Sequence, residues 1–162
     1  MAKNKKKKKK ESSVIQAGIG GLTVILVILI LVMMNVVSSI QGTARVVNYA
    51  GLVRGKTQCI VKLENAGQPQ DDMLKGIEDF INGLRRGDKE LNLVRLDDRD
   101  FQNKMQELDE YFQSLRQEIM LVRQKGYQNT EIIAKSEYFF GICDEATGLA
   151  EIYSQKKASS LK

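Results

Sequence analysis

The chain has 162 residues, with no tryptophan, no histidine, one proline and two cysteines. The lack of histidine removes the commonest general base and metal ligand, and two cysteines alone cannot form a Cys/His metal cluster. The net charge of +5 is concentrated at the N-terminus, where residues 1–11 hold seven lysines and one glutamate. The remaining residues, 18 basic and 19 acidic, offer no extended basic surface, so we expect no nucleic-acid partner.

An uncharged segment follows the lysine cluster. The 33 residues after Glu11 carry no charge and include the solid apolar run Val24–Met34. Because about 20 helical residues cross the ~30 Å hydrocarbon layer, we predict a transmembrane helix at residues 14–37. Basic flanks set the orientation of N-terminal spans, so residues 1–13 are expected in the cytoplasm and residues 38–162 outside the cell membrane. The alternative is a cleaved signal peptide, whose apolar core is shorter, about 7–15 residues.

The first helix is predicted to continue from the membrane into the exterior region, from about Val14 to Glu64. No breaker interrupts it before the stretch 65–69, where glycine and proline stop a helix. Its exterior part has an apolar stripe that is expected to face a core: Val46, Tyr49, Val53, Ile60 and Leu63.

Two further helices follow. The second is predicted to begin at Asp71 and Asp72, which suit a first turn by capping and by the helix dipole, and to end at Gly87. Residues 88–96 are weakly periodic and predict a loop with an extended piece. The third helix is capped by Asp97 or Asp98 and ends at Gly126. Its apolar residues recur at steps of four and three: Phe101, Met105, Leu108, Phe112, Leu115, Ile119 and Val122.

The fourth helix is predicted to be capped by Asn129 or Thr130 and to reach Lys162. Its expected seam is Ile133, Ser136, Phe140, Cys143, Thr147, Ala150 and Ser154. Four helices with short links predict an all-α fold, in which an N-terminal transmembrane helix continues into an extracytoplasmic antiparallel four-helix bundle. The last residues are typical of a juxtamembrane segment. We therefore expect that a second span and an output domain, both absent here, belong to a longer receptor, or that the gene is truncated.

Catalytic motifs are absent from the sequence, which has no phosphate-binding glycine loop, no nucleophile with a histidine base and no zinc motif. Capping explains the acid pairs 71–72 and 97–98, and Asp144 and Glu145 are interpreted as a solvated helix face. We therefore predict that the chain is not an enzyme and binds no metal and no cofactor.

The two cysteines, Cys59 and Cys143, allow two interpretations. An exterior compartment permits a disulfide, and two buried free thiols are the alternative. They lie at similar heights on the first and fourth helices, which are neighbours in an up-down bundle. We expect their Cα atoms within ~10 Å, whereas a disulfide needs about 7 Å or less.

A second stripe on the first helix is chemically unusual. It lies about 100° around the helix from the apolar stripe and contains Val47, Gly51, Arg54, Gln58 and Val61. Glycine costs the helix up to ~1 kcal/mol against alanine and permits close approach of another helix or of a ligand. Two such stripes meeting across a dimer axis would bring two Arg54 guanidinium groups together around a bridging anion. The alternative is that Arg54 pairs with an acid of the bundle and Gly51 eases packing.

The segment Val47 to Gln58, VNYAGLVRGKTQ, resembles a motif of bacterial sensor domains. The motif belongs to the ectodomains of nitrate/nitrite-sensing histidine kinases and to the related N-terminal domain of type IV pili methyl-accepting chemotaxis transducers. Its pattern is apolar-Asn-x-Ala-Gly-x-x-Arg-x-x-Ser/Thr-Gln-Arg, and Cys59 stands in place of the final arginine. The matching residues are Asn48, Ala50, Gly51, Arg54, Thr57 and Gln58. The segments 51–64 and 135–154 also look like sensory regions of membrane diguanylate cyclases and chemotaxis receptors.

The resemblance implies a four-helix ectodomain that forms a homodimer along its first helix, with the motif arginine gripping an anion at the interface. The ligand-binding residues expected from it are Asn48, Gly51, Arg54 and Gln58. The predicted function is ligand sensing by the extracytoplasmic part of a transmembrane signalling receptor, with an oxyanion as a candidate ligand. The alternatives are a membrane-anchored interaction or structural protein without signalling output, and a secreted bundle.

Overall fold

The computed structural model describes residues 2–159, with the side chains of residues 16–38 and 40–159. Within that part the secondary structure is helical, with no strand beyond an isolated bridge, which confirms the predicted all-α class. The elements are α1 (Ala2–Asn65), α2 (Asp71–Arg86), α3 (Arg99–Lys125), a single 3-10 turn (Tyr127–Asn129) and α4 (Ile132–Ser159). The predicted extension of the fourth helix to Lys162 lies outside the described residues.

The ends of α1 agree with the prediction on one side only. The helix begins at Ala2 rather than at Val14, because lysine is a good helix former and no glycine or proline lies in this stretch. At the other end α1 stops at Asn65 as expected. Gly67 then adopts a φ of 74°, a left-handed conformation that favours glycine and reverses the chain.

The chain divides into two compact units, Met1–Ser39 and Ile40–Lys162. In the first unit, the side chains of residues 16–34 are all exposed within the chain. Among the described residues, α1 is the one helix long and apolar enough to cross a membrane. A continuous apolar surface of this size is typical of a segment that contacts lipid or a partner. The division into residues 1–13, 14–37 and 38–162 stays a prediction.

The core of the second unit is built around α3. All seven apolar residues of its predicted repeat are buried, so the seven-residue pattern is confirmed. On α1, Val46, Val53 and Ile60 are fully buried as predicted, whereas Tyr49 and Leu63 are half-buried. Burying a side chain of this size contributes about 1.5–3 kcal/mol.

Ion pairs and hydrogen bonds show that neighbouring helices are antiparallel, because residue numbers fall in one helix as they rise in the next. Between α1 and α4 the contacts are Thr43–Ser154, Arg54–Asp144 and Gln58–Ser136. Between α2 and α3 they are Glu78–Arg116 and Arg85–Asp109. Between α3 and α4 they are Lys104–Glu145 and Glu118–Lys135. The expectation that the first and fourth helices are neighbours is thus confirmed.

The predicted seam of α4 is rotated from the observed one. Ser136, Cys143 and Ala150 are buried as predicted, but Ile133 and Phe140 are 50% and 42% exposed. The predicted and observed rows share three residues, but the observed row takes Ile132, Phe139 and Ile142 in place of Ile133 and Phe140, which buries more apolar surface. The observed buried row is Ile132, Ser136, Phe139, Ile142, Cys143, Ala146 and Ala150.

Helix caps also differ in part. Asp98 caps α3 as predicted, accepting a hydrogen bond from the Phe101 backbone N–H at 2.9 Å. Asp71 and Asp72 lie in the first turn of α2, but the cap position is Gln70 and no side chain caps it. The predicted loop at 88–96 contains one antiparallel bridge, Asp88–Leu93.

The start of α4 is held by α3 rather than by the predicted cap residues Asn129 or Thr130. The Glu118 carboxylate is buried and accepts a hydrogen bond from the Glu131 backbone N–H at 2.8 Å. Its other oxygen accepts one from the Lys135 ammonium at 2.6 Å. A carboxylate from a neighbouring helix thus satisfies an N–H group that a local side chain would otherwise cap.

The protonation of Glu118 is therefore linked to folding. The hydrogen bond from Lys135, and then that from the Glu131 N–H, hold the pKa of Glu118 below its usual range, while burial opposes them. Because the pKa of Glu118 is lower in the folded chain than in the unfolded chain, where it is about 4.3, ionised Glu118 stabilises the fold. This contribution is complete above the unfolded pKa and is lost as the pH falls through the folded pKa.

We expect the Glu118→Gln variant to lose part of the acid sensitivity of the wild type. Its unfolding temperature should be lower near neutral pH, and the further fall between about pH 5 and pH 3 should be shallower, because one linked proton is removed. Thermal unfolding followed by circular dichroism across this range is the measurement, with the exposed Glu151→Gln as the control. Equal acid limbs in Glu118→Gln and wild type would show that Glu118 does not couple folding to pH.

Candidate functional site

Two of the four predicted site residues, Arg54 and Gln58, lie along the edge of α1 beside α4. Arg54 and Gln58 contact α4, Gly51 is half-buried and Asn48 is exposed. Because an α-helix turns about 100° per residue, burying Val53 in the core places Arg54 at this edge. The structure thus brings Arg54 and Gln58 onto one helix pair, while Asn48 lies towards solvent.

Arg54 makes two contacts with α4. Its guanidinium forms an ion pair with the Asp144 carboxylate, and the guanidinium carbon lies 5.1 Å from the centroid of the Phe140 ring. The Arg54 side chain is 34% exposed and that of Asp144 is 62% exposed. An ion pair this open to water contributes only about 0–1 kcal/mol.

The guanidinium keeps donors for a further ligand. Arginine carries five N–H donors in a planar fork, and only Nη1 donates to Asp144. The Phe140 ring adds a cation–π contact that holds the group in place. An oxyanion could therefore bind the fork by sharing or displacing the Asp144 carboxylate at a small free-energy cost.

Gln58 fixes the register of the two helices next to Arg54. Its Nε2 donates to the backbone oxygen of Ser136 at 3.0 Å, an oxygen on the core side of α4. Thr57, which precedes it in the motif, is fully buried, and its Oγ1 has no hydrogen-bond partner in the described part of the chain. The threonine of the motif is therefore a core residue and not a surface one.

Two glycines of α1 near Arg54 in sequence, Gly51 and Gly55, are not explained by packing inside the chain. A Cβ atom built on Gly51 or on Gly55 has no neighbouring atom within 4 Å. Neither glycine is needed for the close approach of α4 or α2, although each weakens the helix by roughly 0.5–1 kcal/mol. The sequence allowed that Arg54 pairs with an acid of the bundle and that Gly51 eases packing. The ion pair is present, whereas Gly51 eases no packing inside the chain.

Other candidate chemistry is weak. Among the residues described, no group of three acidic, histidine or cysteine side chains could hold a metal ion. Asp144 and Glu145 are exposed as expected, yet both are paired, Asp144 with Arg54 and Glu145 with Lys104 at 2.6 Å. The acid pair at 97–98 is accounted for by the Asp98 cap.

The two cysteines are free thiols with different surroundings. Cys59 is exposed and Cys143 is buried, so the alternative of two buried thiols is wrong for Cys59. Burial raises the pKa of Cys143 to about 12, with Arg54 opposing the shift, so this thiol stays protonated and unreactive. The expected separation of the two Cα atoms stays a prediction.

Sequence reasoning did not identify Asp144 and Phe140 as the partners of Arg54. They lie about 90 residues further along the chain, and only the register between α1 and α4 brings them together. The predicted seam of α4 places Phe140 in the core, whereas this side chain is exposed and therefore free to contact Arg54.

Comparison with known proteins gives a fold. No known protein family matches the sequence, and no curated protein is similar to it. Among solved structures, the chain is similar to a receptor ligand-binding domain. That structure is the ligand-binding domain of the P. aeruginosa nitrate receptor McpN, with a TM-score of 0.59 and 15% identity, covering 67% of this chain and 94% of the other. At this identity the similarity shows a shared helical-bundle fold and nothing finer.

Proposed function

We propose that this chain is the extracytoplasmic sensing region of a bacterial transmembrane receptor. The observation that carries the proposal is the combination of an exposed apolar helix long enough to cross a membrane with a bundle that has a receptor ligand-binding fold. The chain is then anchored in the cell membrane, with its N-terminus in the cytoplasm and the bundle outside. Any enzymatic output lies in another module.

The ligand we propose is a small oxyanion bound by Arg54. The support is that Arg54 lies at the surface of α1, the helix that carries the sensor-like motif, and has unused N–H donors. Gly51, one turn before it, leaves open space on the helix surface. The similar structure is named as that of a nitrate receptor, which agrees with this chemistry. Asp144 would act as a tethered carboxylate that holds the fork when the ligand is absent.

The homodimer we propose forms along α1. Gly51 and Gly55 leave open space on the helix surface, and a second helix can approach closely where no Cβ atoms stand. Two Arg54 groups facing each other repel, so a bound anion would strengthen the dimer. Two copies anchored in one membrane would also be held in parallel, which lowers the entropic cost of this pairing.

Signal transfer would use the α1–α4 pair. An anion that draws Arg54 away from Asp144 removes one of the contacts that hold α4 in register with α1. A shift of one helix relative to the other needs only a bistable packing with a gap of a few kcal/mol.

A membrane-anchored interaction protein is the second candidate function. It is favoured by the exposed apolar side chains of Ile133 and Phe140, which a protein partner could cover, and by the fact that Arg54 already has an acidic partner. A bundle that responds to no oxyanion would favour this candidate.

We expect nitrate, nitrite, sulfate or phosphate to raise the unfolding temperature of the full chain in detergent. At about 100 times the dissociation constant, the anion adds about 2.7 kcal/mol of stability. Arg54→Ala should remove the effect without unfolding the bundle, and Arg54→Lys should largely remove it, because the planar fork is lost. Thermal-shift titration and calorimetry are the measurements.

Two further variants sharpen this test. Arg45→Ala removes an exposed arginine of the same helix and should leave the anion effect intact. Asp144→Asn removes the competing carboxylate and should tighten anion binding by roughly 2–5-fold, the equivalent of a surface ion pair. If no anion shifts the wild type and Arg54→Ala unfolds it, Arg54 is a structural residue and the sensing site lies elsewhere.

For the topology, we expect a membrane-impermeant maleimide to label Cys59 on intact spheroplasts, since this thiol is exposed and Cys143 is buried. A cysteine placed in the lysine tail, Ser12→Cys in a Cys59→Ser background, should react only after lysis. Cys59 labelled only after lysis would reverse the orientation. Release of the labelled bundle into the medium would indicate a cleaved signal peptide.

A further inference from the structure

A groove between α3 and α4 has a composition that the anion site does not explain. It has a volume of about 400 Å³ and is lined by Glu107, Glu110, Tyr111, Ser114 and Tyr138. The four α3 residues follow at steps of three, one and three, so they share one helix face. Arg54 contacts a different edge of α4, through Asp144 and Phe140.

Two tyrosine rings form one wall of this groove. The ring centroids of Tyr111 and Tyr138 lie 4.7 Å apart with an angle of 44° between the planes. Tyr111 stacks at 6.4 Å on Phe139, which is fully buried, so the core fixes its position. Tyr138 is 57% exposed and contributes little to the core. Ring faces carry a negative quadrupole, which attracts cations.

Carboxylates give the groove a negative charge. The Lys104 ammonium lies 2.6 Å from carboxylate oxygens of both Glu107 and Glu145, and these contacts, Glu107 first, raise its pKa. Glu110 accepts a hydrogen bond from Gln106 at 2.9 Å and makes no ion pair within the described residues. Two carboxylates thus share one ammonium group, and the Glu110 carboxylate has no cationic partner among the described residues. At the opposite end, Glu118 and Lys135 neutralise each other.

We propose that the groove formed by Glu107, Glu110, Tyr111, Ser114 and Tyr138 binds a small organic cation, an alkylammonium ion. The ammonium group would lie against the exposed Tyr138 ring, which Tyr111 supports from behind, with the Glu110 carboxylate as its counter-ion. The Ser114 hydroxyl would accept or donate a hydrogen bond to a polar substituent. A bare metal ion fits poorly, because the site offers ring faces rather than a set of oxygen ligands. An anion is disfavoured by the carboxylates. The groove is wide open to solvent, so it suits a small cation that is only partly covered.

The test uses choline as the probe and 3,3-dimethyl-1-butanol, its neutral isostere, as the matched control ligand. The full chain is titrated by calorimetry in a maltoside detergent, because phosphocholine lipids and detergents carry the same headgroup. We expect choline to bind at least about tenfold more tightly than the neutral isostere, since cation–π and carboxylate contacts act only on the charged ligand.

Variants locate the binding in the groove. Tyr138→Ala should weaken choline binding by about tenfold and Glu110→Gln by several-fold, while Tyr138→Phe should keep it within about twofold because the ring face remains. Tyr127→Ala, at an exposed tyrosine outside the groove, should leave binding unchanged. Circular dichroism confirms that each variant is folded. No choline binding, equal binding of the isostere, or an unchanged affinity in Tyr138→Ala would each overturn the proposal. Choline is added as its chloride at a constant total chloride concentration, and a cation is repelled by Arg54, so the outcome is independent of the Arg54 site.

Discussion

The burial of one face of α1 in the bundle is the constraint on which the candidate site depends. Val46, Val53 and Ile60 are fully buried, and each contributes about 1.5–3 kcal/mol. Turning the helix by one residue, about 100°, would expose all three side chains, and no surface contact is strong enough to offset that loss of burial free energy. The rotation of α1 is therefore fixed, and Arg54 must lie at the α4 edge while Gly55 and Cys59 lie at the surface.

Buried ion pairs set the ends of the helices once the apolar layers have set their rotation. At the end of α1, the Glu64 carboxylate is almost completely buried and is held by Arg123 at 2.9 and 2.6 Å and by the Gln70 backbone N–H at 2.9 Å. Removing one partner of such a pair leaves a buried charge and is far more destabilising than breaking a surface pair. The Arg54–Asp144 pair is exposed and weak by comparison, which suits a contact that a ligand exchanges.

The sequence predicted the helices well and their tertiary contacts only in part. The repeat on α3 was readable because Phe101 to Val122 offers a single apolar row, and all of it is buried. On α4, Ile132 and Ile133, and likewise Phe139 and Phe140, offer two rows, and only packing against α1 and α3 decides between them. The start of α4 depends on Glu118, a residue of another helix, so no local signal predicts it. The position of Arg54 at a helix edge was predicted, but its partner Asp144 follows from a long-range register that local periodicity does not contain.

The central claim is that two copies of the chain pair along α1 and that an oxyanion at Arg54 strengthens the pair. Disulfide cross-linking in native membranes tests it most directly, because Cys59 is the exposed thiol and lies one helical turn beyond Gly55, whereas Cys143 is buried. The account predicts a Cys59-dependent dimer under mild oxidation, formed faster with nitrate or another bound oxyanion, with this acceleration absent in Arg54→Ala. A cysteine on α2, Lys75→Cys in a Cys59→Ser background, serves as the control for random collision. Equal cross-linking at positions 59 and 75, with no effect of any oxyanion, would contradict the account.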